Sequence, residues 1–416
     1  MNRLLFVSCL LSSLLFSQTL TLEHSIQKTL QNHPDVKTFA LRVSQSHSAY
    51  DASFSDYLPQ VTLSANYNAV QTFVFPANGV FNTIDDTGWS AGASVKQKIW
   101  DFSKTSSSVD ASKLDESISQ LSLEDIKALL VSKVKSLYEL MLVEKEAVTV
   151  REQDLQTKEA YYKQSLAFVE QGLKTSADSS RFLSAVYLSK ESLAESQAEF
   201  EKAKNSLSLY MGEPIASNTL LESELLDSDF TTSADVEQKI LAQNYQLKIA
   251  TQNIEKNELL QKSAQASHYG SIDALGSYNH ISSLNTYDSK LLGVTLNIPL
   301  YSGGRVSAES QKAEIDAQIA KEQKASAKLA LKEESENLLT DIKKYRYTIE
   351  AKKAQLHSSK QTTALLDGRY KEGLATYIEV LDATALELNA KLGLLNAKYQ
   401  LAQAINRLQY LQGKQK

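Results

Sequence analysis

Four segments of the chain alternate apolar and polar residues with the period of two that predicts β-strands. They lie at about 60–69, 89–99, 271–279 and 290–300. The apolar positions of the last segment are Leu292, Val294, Leu296, Ile298 and Leu300. Each predicted strand is about ten residues long and has one apolar face and one polar face.

Long segments without Pro and with at most one Gly lie between and after these strands and predict helices. The predicted helices lie at about 103–171, 176–211, 305–371 and 376–412. The segment from Arg305 to Asp367 contains neither Gly nor Pro. At 1.5 Å per residue it forms a helix of roughly 95 Å, much longer than the helices of ordinary globular proteins. Lys and Arg are spread along these helices and are expected to lie on solvated faces.

A short turn that contains Gly separates the two helices of each predicted pair. The two turns are Gly172-Leu173-Lys174-Thr175 and Gly373-Leu374-Ala375-Thr376. Gly adopts the positive φ that a tight turn requires, and Thr is a favourable cap for the helix that follows. The two helices of each pair are therefore predicted to be antiparallel neighbours.

The same features recur at one fixed offset along the chain. A shift of 201 positions places Gly92 on Gly293, Gly172 on Gly373 and Gly212 on Gly413. A constant offset over more than a hundred residues predicts an internal duplication.

The duplication divides the chain into two repeats. They are predicted at 18–212 and 233–416, and a polar connector at 213–232 joins them. Upstream of the second strand of each repeat the offset becomes 211, so the first repeat carries an insertion there. Because insertions are tolerated in loops, the strand-connecting loop is predicted to be longer in the first repeat, at about 70–88, than in the second, at about 280–289.

The first 17 residues predict a secretory signal peptide. A short basic start precedes the apolar segment Leu4–Phe16, which is too short to cross a membrane as a helix. Cys9 is the only cysteine, so cleavage after residue 17 would leave no thiol. Two alternatives stay open, namely a buried N-terminal helix and a lipoprotein that is cleaved at Cys9 and lipidated.

The four predicted strands cannot form a closed barrel within one chain. Alternating segments of this length that end in an aromatic residue are typical of outer-membrane barrel strands, and an open sheet edge is not tolerated in lipid. After residue 17 no apolar run approaches the ~20 residues of a transmembrane helix, so any membrane crossing is expected to be by strands. Three copies of the chain would supply twelve strands, an even number with room for an open lumen.

Three kinds of segment make the chain resemble the TolC-like family of outer-membrane efflux proteins over essentially the whole mature length. They are the junction Ile298-Pro299-Leu300-Tyr301-Ser302-Gly303-Gly304-Arg305, the two Gly-Leu turns, and Tyr377-Ile378-Glu379-Val380-Leu381-Asp382-Ala383. The resemblance implies an α+β membrane protein built from a duplicated unit. Four strands from each chain of a homotrimer would form a 12-stranded barrel in the outer membrane of a Gram-negative bacterium. The long antiparallel helices would continue it as a coiled-coil tunnel through the periplasm.

The resemblance also implies partners. The turns would dock a periplasmic adaptor, or membrane fusion protein, bound to an inner-membrane pump of the RND or ABC type, and outer-membrane lipid would surround the barrel. The residues implied at the docking turns are Gly172, Leu173, Thr175, Gly373, Leu374 and Thr376. Those implied at the strand-to-helix junction are Pro299, Gly303 and Gly304.

The resemblance places Glu379 and Asp382 in the acidic rings of the periplasmic entrance, and Asp178 and Tyr370 among the groups that help to hold this entrance closed. Two acids three residues apart share one helix face, so a trimer would surround the constriction with six carboxylates and favour cations. The simpler interpretations are a solvated face for this pair and, for Asp178, a first-turn acid that interacts with the helix dipole. One departure is Ala375, where some members of the family carry a gating Arg.

The sequence contains no motif for nucleic-acid binding, metal binding or catalysis. The formal net charge of −5 provides no basic surface for nucleic acid. Phosphate-binding glycine loops, metal-spaced Cys/His clusters and nucleophile motifs are absent, and the six His are scattered. The sequence therefore predicts no catalytic residue, no cofactor, no metal site and no enzymatic activity.

The leading interpretation is the trimeric exit duct of a tripartite efflux system, which passively exports drugs or other small molecules. One alternative is the outer-membrane duct of a type I protein secretion system. An alternative of another class is a periplasmic coiled-coil structural protein without a channel. A wide passive tunnel carries little information about its cargo, so the sequence identifies neither the substrate nor the particular adaptor and pump.

Overall fold

The computed structural model describes residues 19–77, 79–216, 219–222 and 235–414. The predicted signal peptide, with Cys9, lies outside these residues. Most of the predicted connector at 213–232 lies outside them too.

The chain divides into two compact units. Unit 1 contains the described residues up to Lys37, the described part of Ile126–Asn244, and the residues from Leu331 onward. Unit 2 contains Thr38–Asp125 and Tyr245–Ala330, which include all the strands described below. Both units draw on both repeats, because each repeat supplies residues to each of them.

Long helices dominate the described chain, as the sequence predicts. The helices are α1 (Leu22–Asn32), α2 (Pro34–Phe54), α3 (Lys104–Glu170), α4 (Ser176–Met211), α5 (Val236–Gln243), α6 (Tyr245–Ala266), α7 (Arg305–Lys371) and α8 (Tyr377–Leu411). Each of α3 and α7 contains 67 residues. No helix in the described part of the chain is both long enough and apolar enough to cross a membrane.

Four strands form one antiparallel sheet in unit 2. They are β1 (Gln60–Ala77), β2 (Val80–Trp100), β3 (Ser271–Ser282) and β4 (Thr286–Asn297), and they are arranged in the order β1-β2-β3-β4. Each strand therefore lies beside its neighbour in the chain. The outer edges of β1 and β4 have no strand paired to them within the described residues.

The register of the sheet collects the apolar residues of all four strands on one face. Leu63 pairs with Ala93, and Gly276 lies between Val95 and Leu292. The side chains on this face are largely uncovered, because Leu63 is 83% exposed and Leu292 is 90% exposed. Residues of the opposite parity, which are mostly polar, occupy the other face.

The strands are longer than predicted where the first repeat was expected to have a loop. The segment at about 70–88 continues β1 and β2 as a paired ribbon that ends at the pair Ala77 and Val80, after a bulge between Asn68 and Gln71. The reason is composition, since the segment contains Phe73, Val74, Phe75, Phe81 and Ile84, which favour strands. The extra residues of the first repeat therefore lengthen a hairpin.

Two predictions for the second repeat, a loop and the end of a strand, are also wrong in part. The loop predicted at about 280–289 is mostly strand, because β3 reaches Ser282 and β4 begins at Thr286. The strand predicted at 290–300 ends at Asn297. Pro299 explains this end, since proline has no N–H to donate to a neighbouring strand.

The junctions between strand and helix have positive φ at the same two positions of both repeats. Gly303 and Gly304 have φ of 64° and 82°, and Phe102 and Ser103, 201 positions earlier, have φ of 57° and 70°. Non-Gly residues are strained in this left-handed region. Asp101 offsets part of the strain in the first repeat, because its Oδ2 accepts a hydrogen bond of 2.9 Å from the backbone N–H of Thr105.

Candidate functional site at the helix-pair tips

The turn between α3 and α4, here called the first tip, ends α3 with a regular capping motif. Gly172 has a φ of 71°, and its N–H donates to the carbonyl oxygen of Val169 at 2.9 Å. The N–H of Leu173 donates to the carbonyl oxygen of Phe168 at 2.9 Å. These two bonds form a Schellman motif, which requires a residue with positive φ and so favours Gly.

The turn between α7 and α8, here called the second tip, repeats this geometry. The φ of Gly373 is 75°, and its N–H donates to the carbonyl oxygen of Tyr370 at 3.0 Å. The N–H of Leu374 donates to the carbonyl oxygen of Arg369 at 2.8 Å. Leu374, like Leu173 of the first tip, is 64% exposed. Each tip therefore presents one apolar side chain to its surroundings.

The helices that leave the two tips begin with equivalent side-chain caps. The N–H of Thr376 donates to Oε2 of Glu379 at 2.7 Å, and its hydroxyl donates to the same oxygen at 2.8 Å. At the first tip, the N–H and hydroxyl of Thr175 approach Oδ2 of Asp178 at 3.0 and 3.1 Å. Asp178 and Glu379, which the resemblance placed in different roles, are thus the same capping residue in two repeats.

The electrostatics of Glu379 follow from this cap. The backbone N–H of Thr376, followed by its hydroxyl, holds the pKa of Glu379 below its usual value, because both groups donate to the charged form. The side chain of Asp382, three residues later on α8, is exposed. Both carboxyl groups lie within the first two turns of the helix that leaves the second tip.

A group of five aromatic side chains, here called the aromatic cluster, packs together behind the tips. It consists of the residues whose rings contact one another, namely Tyr161 and Phe168 from α3, Phe182 from α4, Tyr370 from α7 and Tyr377 from α8. The ring of Tyr370 lies edge-on to the rings of Tyr161, Phe168 and Phe182 at centroid distances of 5.9, 5.8 and 5.6 Å. Such edge contacts stabilise packing beyond the burial of area alone.

Tyr370, a residue implied to hold the entrance closed, is the centre of this cluster and is 1% exposed. Its hydroxyl has no hydrogen-bond partner among the described residues. Burial, followed by the negative charge of Asp178, raises the pKa of Tyr370 to about 12. The two residues are therefore close enough to interact electrostatically, but the carboxylate of Asp178 bonds to Thr175 instead of to the tyrosine.

Ala375, for which the resemblance implies a gating Arg in some family members, belongs to the same apolar group. Ala375 is 2% exposed and packs with Val380 and the aromatic cluster. Its methyl group fills a site in which a guanidinium would have to give up its hydration. Phe168 and Phe182, which complete the cluster, were not singled out from the sequence, although aromatic residues near both Gly turns gave a signal for them.

The expectation that lysines lie on solvated faces is wrong for Lys158, which is 7% exposed. Its Nζ donates to Oγ1 of Thr384 on α8 and lies 3.8 Å from Oδ1 of Asp154. Burial lowers the pKa of Lys158, and Asp154 opposes this shift. Lys158 lies on the same face of α3 as the buried residues Val150 and Tyr161, but the sequence does not show which helix covers that face.

Comparison with known protein families gives one match in each of the two repeats. The sequence model for "Outer membrane efflux protein" matches the chain twice, over residues 25–213 and 236–414. The chain belongs to the outer membrane efflux protein family. The double match agrees with the duplication that the 201-residue offset predicts.

Individual relatives cover most of the chain. The chain is 24% identical to the outer membrane protein TolC of Vibrio cholerae, and the match covers 97% of this chain and 95% of that protein. It is 26% identical to the probable outer membrane lipoprotein SilC of Salmonella typhimurium, over 86% of this chain and 78% of that protein. The crystal structure of VceC from Vibrio cholerae has a TM-score of 0.82 at 17% identity, over 94% and 96% of the two chains, and so shares the fold.

Family membership confirms three expectations from the sequence. The chain has the TolC-like fold, with a four-stranded antiparallel sheet and long helices. It is an outer-membrane protein. It is also a transport protein rather than an enzyme, since the family consists of efflux channels.

Proposed function

We propose that three copies of this chain form a 12-stranded barrel in the outer membrane. The observation that carries the proposal is the sheet itself, whose outer strands β1 and β4 each have one edge unpaired within the described residues, and whose apolar face is widely exposed. Unpaired backbone groups are too costly in lipid, so each edge needs the opposite edge of another copy. Three copies of four strands give an even-numbered barrel that is wide enough for an open lumen.

The aromatic residues of β2 fit the two borders of a bilayer. Trp89 and Trp100 are 47% and 55% exposed and stand eleven positions apart. At ~3.3 Å per residue and a tilt of about 40°, they are separated by roughly 28 Å along the membrane normal, close to the ~25 Å height of a barrel's apolar band. The apolar face of the sheet therefore faces lipid, and the polar face lines the lumen.

The proposed assembly is a passive exit duct of a tripartite efflux system, which exports drugs or other small molecules. The two tips dock a periplasmic adaptor, which connects the duct to an inner-membrane pump of the RND or ABC type. Support comes from the equal exposure of Leu173 and Leu374 at the two tips, which gives a repeated apolar contact point. Apolar side chains held on a rigid turn suit a repeated protein contact.

The periplasmic entrance is proposed to carry the acidic ring of Glu379 and Asp382. Their position on one face of the first turns of α8 supports this role. Asp178 fixes the start of α4, and Tyr370 holds the closed entrance through ring packing. Cations are expected to be favoured at a constriction that six carboxylates surround.

The first experiment tests assembly and conduction together. We expect heat-sensitive trimers in the outer-membrane fraction and, in planar bilayers, a conductance that prefers cations. A purified protein that is monomeric and water-soluble without detergent would contradict the proposal. So would trimers that never conduct.

The acidic ring has its own test, which must leave the helix cap intact. Replacing Glu379 by Gln keeps an oxygen that can accept from Thr376, whereas Ala would remove the cap. The double variant Glu379→Gln and Asp382→Asn is therefore expected to lower cation preference and raise conductance while the trimer stays equally heat-stable. Unchanged ion preference would remove these residues from the gate.

The cargo is tested in cells that lack the gene. Accumulation of small dyes or drugs is expected, and restoration by the intact gene should remove it. Loss of a secreted protein with normal drug efflux would instead favour a type I secretion duct.

A further inference from the structure

A connected set of polar side chains crosses unit 1 between helices of different pairs. Lys158 on α3 donates from Nζ to Oγ1 of Thr384 on α8. The same ammonium lies 3.8 Å from Oδ1 of Asp154, whose Oδ2 accepts a hydrogen bond of 2.7 Å from Ser189 on α4. We call these four residues the Lys158 link, which joins α8 to both α3 and α4.

The fourth helix is attached at the same level. Oγ1 of Thr363 on α7 donates to the carbonyl oxygen of Ala383 at 3.2 Å, one residue before Thr384. The hydroxyl of Thr384 also donates to the carbonyl oxygen of Leu381 at 3.0 Å, so the lysine meets an oxygen that is already held in place. The pair α3 and α4 is therefore joined to the pair α7 and α8 through Lys158.

The surroundings of the link are incompletely packed. A cavity of about 100 Å³ lies beside it and is lined in part by Asp154, Thr157, Thr363 and Thr384. Apolar side chains do not fill this space, so close packing contributes less to the contact between the helix pairs here than in a dry core. The polar link has a correspondingly larger share in fixing their arrangement.

Lys158 is also exceptional among the cations. No other lysine or arginine is buried in the part of the chain that the structure describes. A buried ammonium must give up its hydration, so a missing partner is strongly unfavourable, whereas an intact pair is often no more stable than an apolar replacement. An intact pair therefore differs from an apolar replacement less in stability than in specificity, because it permits only one arrangement of the helices.

We propose that Lys158 is a positioning residue for the gate, which ties α8 to α3 and holds the two helix pairs of one chain in the closed arrangement. The proposal rests on the channel function proposed above. In this chain the tip has Ala375 instead of an arginine, and the hydroxyl of Tyr370 has no partner among the described residues. The link lies outside the tip, at a level where a shift of α8 along α3 must break the bond to Thr384.

The decisive experiment changes the hydroxyl of Thr384 while keeping the size of the side chain. Thr384→Val removes the acceptor of Lys158, and Thr384→Ser keeps it. We measure the resting conductance of single trimers in planar bilayers and the sensitivity of pump-deficient cells to a large glycopeptide antibiotic. Thr384→Val is expected to raise the open fraction about tenfold, because the buried ammonium loses its hydrogen bond to α8 in the closed state and keeps only Asp154 of its own helix. Thr384→Ser is expected to behave like the wild type.

Lys158→Met completes the test. It is expected to raise the open fraction too, whereas Lys163→Met, five residues away at an exposed position of the same helix, is expected to change nothing. Since both residues act through one bond, the double variant Lys158→Met with Thr384→Val should open no further than the more open single variant. The double variant also serves if Thr384→Val alone fails to assemble, because it removes the buried ammonium that has lost Thr384, while Asp154 keeps its hydrogen bond from Ser189.

The outcomes separate this inference from the proposed function. If the wild type and all variants fail to conduct, the channel function itself is wrong. If the wild type conducts and gates, but heat-stable trimers of Thr384→Val and Lys158→Met gate normally, the positioning role of Lys158 is overturned. A lower heat stability with unchanged gating would also overturn it, since that result describes a structural contact alone.

Discussion

Two buried side chains in unit 1 carry an oxygen without a hydrogen-bond partner among the described residues. The two unpaired oxygens affect the stability of the fold in different ways. The side chains are Tyr370, in the aromatic cluster, and Glu139, in α3. A buried polar atom without a partner destabilises the folded state by about 1 to 3 kcal/mol. For each residue, the missing hydrogen bond determines whether a substitution raises or lowers the free energy of unfolding.

Tyr370→Phe is expected to leave the closed gate intact and to raise the free energy of unfolding by up to about 1 kcal/mol, because it removes an unpaired hydroxyl and keeps the ring. Tyr370→Ala removes the edge contacts with three rings and is expected to cost about 3 to 5 kcal/mol and to raise resting conductance. Thermal unfolding and bilayer recordings measure both effects. A leaky Tyr370→Phe channel would show that the hydroxyl itself holds the entrance closed.

The buried carboxyl group of Glu139 is expected to make the stability of the folded chain depend on pH. Its Oε2 accepts a hydrogen bond of 2.8 Å from Asn406, its Oε1 has no partner in the described chain, and burial raises its pKa to about 7. Because the folded-state pKa lies above the ordinary value, the contribution of this group to stability is complete below about pH 4.5 and is lost as pH rises through 7.

Glu139→Gln cannot ionise, so it is expected to be more stable than the wild type at pH 8 by about 2 to 3 kcal/mol and to match it more closely at pH 5. Denaturation of the detergent-solubilised protein at several pH values measures the difference. Glu146→Gln, at an exposed position of the same helix, is the control and should follow the wild type. Parallel pH profiles for Glu139→Gln and the wild type would mean that the carboxyl group stays neutral or solvated throughout.

At the scale of single elements, the glycines near the second tip illustrate two opposite backbone requirements. Gly373 has a φ of 75° and Gly368 lies inside α7, and an added Cβ would meet no atom within 4 Å at either position. Gly373→Ala is expected to cost about 1 to 2 kcal/mol through backbone strain, and Gly368→Ala to stabilise by about 1 kcal/mol through helix propensity. Thermal unfolding compares the two variants. An unfolding temperature that neither variant changes would show that the tip unfolds independently of the rest of the chain.

The sequence predicted the helices and the tips well because their determinants are local. Absence of Gly and Pro predicts α3 and most of α7, from Arg305 to Asp367. A Gly followed three residues later by a Thr predicts each tip. Glu379 was singled out by the family resemblance and by its spacing to Asp382, and neither indicated its bond to Thr376. A capping acid and an acid that faces a lumen have the same sequence pattern, so only geometry separates them.

Features that depend on packing between distant segments were not predictable in the same way. The extension of β1 and β2 through 70–88 depends on pairing of the two strands, although Phe73, Val74 and Phe75 indicated it. The burial of Lys158 depends on which helix lies against α3, and a single periodic pattern cannot supply that information. For the same reason, the pairing of its ammonium with Thr384 had no sequence signal at all.

At the scale of the whole molecule, the proposed barrel assigns opposite environments to neighbouring residues of one strand. Leu63 belongs to the exposed apolar face of β1, and Ser64, on the opposite face, pairs with Gly92. Both pair with residues of β2 that lie between Trp89 and Trp100, and neither side chain is covered within one chain. In a soluble protein, a lysine at either position would remain in water and cost little.

A barrel in lipid gives a different result for the two positions. Leu63→Lys is expected to cost about 2 to 4 kcal/mol near the bilayer midplane, because its ammonium would enter hydrocarbon, whereas Ser64→Lys would face the water-filled lumen. The yield of heat-sensitive trimers in the outer-membrane fraction should therefore fall for Leu63→Lys and stay near the wild-type level for Ser64→Lys. Because the two variants add the same side chain at adjacent positions, a shared loss of strand propensity cancels between them. Equal yields would exclude a sheet with one face in lipid and the other in water.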